Sequence, residues 1–146
     1  MKHLILSILL FALPMIMKAQ SELETVQLIK NISEVSKHVD QVHMEGRSLS
    51  AYGLSLFDSV LEHKSGKVVE KMRAAAIADG KTAVDNKTIV KNGVVVAAYY
   101  QLPPATMGTD NRFVLFREME NGGAMLIYME GETTLNKIVN IQINRK

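Results

Sequence analysis

Residues Lys91–Glu130 read KNGVVVAAYYQLPPATMGTDNRFVLFREMENGGAMLIYME, and this stretch decides the fold. It divides into three strands, Val94–Leu102, Arg112–Met119 and Ala124–Glu130. In the first, Val94, Val96, Ala98, Tyr100 and Leu102 alternate with Val95, Ala97 and Tyr99. Both faces are apolar, as in a strand covered on both sides. Pro103-Pro104 stops it, because neither residue can donate to a ladder. Ala105–Asn111 is a loop. Asn121-Gly122-Gly123 joins the second and third strands, and Asn-Gly between apolar runs signals a hairpin whose type I′ turn needs positive φ at both central residues.

On the N-terminal side, Val68–Asp79 predicts a helix with Val68, Val69, Met72, Ala75 and Ala76 on its apolar face. Lys67, Glu70, Lys71 and Arg73 fall on its solvated side, and Gly80 ends it at the position where glycine alone takes positive φ without strain. Lys81–Lys91 is polar and reads as a connection. Over residues 39–61 helical and strand patterns compete. Strand is favoured for Val42–Leu49, where Val42 and Met44 alternate with His43 and Glu45, and for Leu54–Leu61. Ser21–Lys37 carries Leu23, Val26, Ile29, Ile32 and Val35 on one helical stripe, with Ser21 and Glu24 in a capping-box pattern. Beyond the hairpin, Thr134–Asn140 predicts a short helix burying Leu135, Ile138 and Val139, while Ile141–Lys146 alternates like a strand. The expected class is α+β: an antiparallel sheet of four to five strands with two to three helices packed mainly on one face.

The chain begins Met1-Lys2-His3, continues with the apolar run Leu4–Met17, and then reads Lys18-Ala19-Gln20. That is the layout of a secretory signal peptide, residues 1–19, with cleavage after Ala19. The run falls short of the roughly 20 apolar residues of a membrane span, which disfavours the rival reading of an uncleaved anchor. Residues 20–146 then form a single exported domain, soluble in the periplasm or outer envelope. Cleavage removes Lys2 and Lys18, so 17 basic residues become 15 against 15 acidic ones. A neutral domain without a basic stripe is a poor partner for nucleic acid or for an anionic membrane. With no cysteine, disulfides, zinc thiolates, thiol catalysis and lipid attachment through cysteine are excluded.

No catalytic motif is complete. His63-Lys64-Ser65-Gly66-Lys67 resembles the end of a phosphate loop, but Leu61 and Val68 stand where Gly and Ser/Thr are required. Gly53-Leu54-Ser55-Leu56-Phe57 lacks the second glycine of a nucleophile elbow. His43 and Glu45 share a strand face and could form half a metal site, with no clustered spacing to complete it. No cofactor is expected. The most distinctive surface candidate is Tyr99, Tyr100, Pro103 and Pro104, a tyrosine pair beside a rigid proline pair that could present a recognition edge; packing and strand termination explain the same residues.

Tyr100-Gln101-Leu102-Pro103-Pro104, Asn111–Arg117, Leu126–Gly131 with Thr134-Leu135, and Tyr52–Phe57 together resemble a family of small exported Bacteroidetes proteins of unknown function. The resemblance implies an α+β domain and export, and carries no activity or catalytic residues. Asp58-Ser59-Val60 is similar to the O-glycosylation acceptor of exported proteins in those bacteria, which makes Ser59 a candidate modification site. The function expected is a non-enzymatic module binding an envelope protein or small ligand. The alternative is a metal-dependent or hydrolytic enzyme assembled from distant residues such as His43, Glu45 and His63.

Overall fold

A computed structural model describes residues 22–143, so the expected signal peptide lies outside the described residues. Among these, four α-helices and six strands follow one another: α1 (Glu24–Lys30), α2 (Ile32–Val35), β1 (Val39–Glu45), β2 (Leu54–Glu62), α3 (Lys67–Asp79), β3 (Asp85–Lys91), β4 (Val94–Leu102), β5 (Asn111–Glu118), β6 (Ala124–Gly131) and α4 (Leu135–Ile143). The strands form one antiparallel sheet in the order β1-β2-β6-β5-β4-β3.

The expectation of four to five strands is corrected by β3. Asp85–Lys91 is not a connection but an edge strand, paired with β4 from Asp85↔Gln101 to Lys91↔Val94. All seven of its residues are exposed, so no burial pattern marks it. Its ladder to β4 and its turn make it a strand. That turn is Asn92-Gly93, with φ of +52° and +76°, the two positive angles that a type I′ hairpin requires. The type I′ turn expected at Asn121-Gly122 is absent. Only Gly122 has positive φ there, and Gly122 N–H donates to Met119 O while Met119 N–H donates to Gly123 O, which makes a three-residue loop. The Asn121 side chain accepts from Gly123 N–H at 3.0 Å.

The expected Val42–Leu49 strand is displaced. The strand starts earlier, at Val39, and ends at Glu45; Gly46, with φ of +89°, then admits a 3-10 turn over Arg47–Tyr52. The expected helix over Ser21–Lys37 is broken at Asn31 into α1 and α2. The strand-like reading of Ile141–Lys146 also gives way, because α4 continues through Ile143; residues 144–146 lie outside the described residues.

The expectation of two to three helices packed mainly on one face is corrected as well: four α-helices cover the sheet on both sides. On one face α1, α2 and α3 enclose Val60, Ala98, Tyr100, Val114, Phe116 and Leu126 with Ile29, Ile32, Val69 and Met72. On the other, α4 lays Leu135, Ile138 and Val139 against Ala97, Tyr99, Phe113, Leu115, Ile127 and Met129. Each large side chain buried this way contributes about 1.5–3 kcal/mol. Burial on both faces explains the two-sided apolar pattern of β4.

Arg73 of α3 and Gly80 just after it depart from their expected roles. Arg73 is buried, not solvated: its Nε donates to Val95 O at 2.8 Å, it pairs with Glu70 and with Glu118 (2.6 Å), and its guanidinium lies 5.2 Å from the Phe116 ring centroid. Its polar tip is satisfied at the sheet while its stem packs, which a helical wheel cannot show. Gly80 takes no positive φ (−68°). Its hydrogen is needed for another reason: a Cβ there would fall within the Tyr100 ring.

Candidate functional site

On the α4 face, β1 and β2 extend beyond the helix. Alternation along β1 sends Val42 and Met44 to this face, and their cross-strand neighbours Ser59 and Phe57 come from β2. The next strand supplies Ile127 and Met129 from β6, opposite Ser59 and Phe57. Leu49 and Tyr52 from the 3-10 turn form one wall, and Ile138 and Ile141 of α4 form the other. The result is an apolar groove of about 380 Å³. Val42 (46%), Met44 (40%), Tyr52 (49%) and Ile141 (37%) remain exposed around it. Clustered exposed side chains of this size mark interaction sites more often than scattered ones do. No lining residue is charged.

The residues singled out from the sequence are dispersed over the fold. Tyr99 and Tyr100 are both 8% exposed and lie on opposite faces of the sheet, Tyr99 under α4 and Tyr100 under α3. They share no surface, because adjacent residues of a strand point opposite ways. Pro103 and Pro104 are half-buried, and Pro103 O accepts from Arg112 Nε at 2.9 Å. Burial of Tyr100 pushes its phenol above the usual range.

His43 and Glu45 do lie together, with His43 Nε2 3.6 Å from Glu45 Oε1, on the face opposite the groove. Asp58, marked in the sequence only as part of the Asp58-Ser59-Val60 tripeptide, sits directly across the ladder and bonds His43 Nδ1. The Asp58 carboxylate, and then that of Glu45, hold the imidazole above its ordinary value and favour the cation. A raised folded value stabilises the fold fully below the unfolded His value, and the contribution is lost as pH rises through the folded one. The exposed imidazole lets solvent screen the pair. Cross-strand from Asp58 is Tyr128, whose hydroxyl donates to Glu130 at 2.6 Å. Burial and that carboxylate push the Tyr128 phenol upward, so it remains neutral at physiological pH.

His63 does not join this group. It bonds Asp40 Oδ2 at 2.7 Å, beyond the other end of the β1–β2 ladder, and Asp40 points to the opposite face from His43. Among the described residues, no three His, Asp or Glu side chains are placed to hold a metal ion. Ser59 lies half-buried on the groove floor, and its hydroxyl makes no hydrogen bond among the described residues. A glycan on Ser59 would fill the groove itself.

The groove escaped the sequence reading although part of its signal was visible. Val42 and Met44 showed the alternation of a strand with one apolar face. That no described helix covers its β1 corner depends on where α4 crosses the sheet.

These features define an α+β domain with a two-sided antiparallel sheet and an apolar groove at its β1 corner. The chain belongs to a family of unknown function (DUF6108), which matches residues 12–142. No curated protein matches it. Among the described residues, no helix is long and apolar enough to cross a membrane.

Proposed function

We propose that this protein is an exported, non-enzymatic binding module of the periplasm or outer envelope, and that its ligand occupies the groove between β1 and α4. Export is supported by the apolar run Leu4–Met17 followed by Ala19-Gln20. Binding is supported by one observation above all: four large apolar side chains stay exposed around a concave, uncharged surface. Leaving them exposed forgoes burial free energy of about 25 cal/mol per Å², which an apolar occupant recovers. The groove, and not the Tyr99–Pro104 segment, offers the accessible surface.

The test is titration of the purified protein with Nile red, a neutral dye that fluoresces in apolar surroundings. Saturable enhancement is expected. Val42→Glu with Met44→Glu, both at exposed positions, weakens it about tenfold or more, because a carboxylate at the lip must be desolvated. Circular dichroism of the variant should match the parent. Equal dye binding by parent and variant defeats the proposal.

A further inference from the structure

The chemistry of the groove and of its rim names a ligand class. Its lining is aliphatic, aromatic and thioether, with Met44, Met125 and Met129 among the residues. Methionine adapts to irregular apolar shapes and does not demand one rigid outline. The volume of about 380 Å³ lies near the lower end of the ~300–1000 Å³ range of small-molecule pockets. It suits one extended chain better than two chains or a docked helix.

Ile141 of α4 lines the groove and is 37% exposed, so the groove meets solvent at that helix. Ile138 and Ile141 face the groove from that helix. Lys137 stands four residues before Ile141, on the same side of the helix. It is exposed and pairs with no carboxylate among the described residues. The acid that β1 turns to this face, Asp40, is engaged by His63. Among the described residues, Lys137 is therefore an unpaired cation on the helix that borders the apolar channel, and Ser59 an unpaired hydroxyl on its floor.

We infer that the groove holds a single-chain amphiphile with a carboxylate head, its chain against Phe57, Ile127 and Met129 and its carboxylate at Lys137. This rests on the groove being a ligand site and adds the identity of the ligand class. An alcohol of the same length fills the channel without using the lysine. A cationic head is repelled by it.

Displacement of Nile red by decanoate, dodecanoate, tetradecanoate and dodecanol, each below its aggregation threshold, tests both parts. Carboxylate affinity should rise about fourfold per added methylene until the channel is filled. The ratio of dodecanoate to dodecanol affinity should fall about two- to fivefold in Lys137→Gln, the scale of an exposed ion pair, and be retained in Lys137→Arg. A ratio unchanged by Lys137→Gln overturns the carboxylate assignment while leaving the groove as a site for neutral chains. Failure of every chain to displace bound dye overturns the ligand class altogether. Failure of the dye itself to bind removes the groove as a site.

Discussion

Adding one methyl group at Gly80 sets two effects against each other. Gly80 has ordinary helical angles, so alanine there would restrict the unfolded chain and add about 0.4–1 kcal/mol of stability. The same Cβ would enter the Tyr100 ring, and overpacking of that kind costs about 1–3 kcal/mol. The second effect is the larger, so Gly80→Ala should lower the urea midpoint. Tyr100→Leu in the same chain should make the alanine less harmful than it is alone. A neutral or stabilising Gly80→Ala would show that the ring can move aside. The glycine was visible in the sequence as a helix terminator. Its actual role needed the partner ring, which lies twenty residues further along. Arg73 behaves likewise: its charge suggested solvent, but its partners are Glu70 on its own helix and Val95, Glu118 and the Phe116 ring on the sheet.

At the scale of elements, α1 depends on α3. Its N-cap position is Leu23, which has no side-chain cap. The first free amides are satisfied from elsewhere: Glu24 N–H and Thr25 N–H donate to Asp79 Oδ1 and Oδ2 at 2.9 and 2.7 Å. A seven-residue helix is far too short to persist alone. The carboxylate at the end of α3 thus supplies both acceptors and the negative charge favoured at a helix N-terminus. Asp79→Ala should destabilise the fold by about 1–3 kcal/mol, the cost of leaving such donors unpaired. Hydrogen exchange should accelerate first at Glu24 and Thr25. Exchange unchanged at those two amides would show that water replaces the carboxylate without loss. Ser21, the cap expected from the sequence, lies outside the described residues. The acceptor found is more than fifty residues away, and no local pattern announces such a pairing.

For the whole molecule, the sheet ends in β1 and β3, both with an outer edge that pairs with no described strand. β3 is the more exposed, and it carries Lys87 and Lys91 among Ile89 and Val90. Lysine on an edge strand discourages pairing with another sheet. With 15 acidic and 15 basic residues in the expected mature chain, net charge gives no protection near neutral pH, and these local charges carry that task. Lys87→Val with Lys91→Val should leave the melting temperature nearly unchanged and raise light scattering at high concentration. Scattering that stays flat would show that the twist of the hairpin protects the edge unaided.

Composition and period alone determined much of this protein. The hairpin β5–β6, the two-faced strand β4, helix α3 and the start of α4 followed from apolar spacing and turn residues, because those signals act within a few positions. Strand β3 was hidden, since its ladder to β4, and no buried face, holds it in place. The groove was hidden for the complementary reason: it is a space left uncovered, decided by where α4 crosses β4, β5 and β6 and where the turn after Gly46 stands. Side chains that line such a space carry the same residue types as a core. Only the tertiary packing separates apolar residues that meet each other from those that wait for a partner.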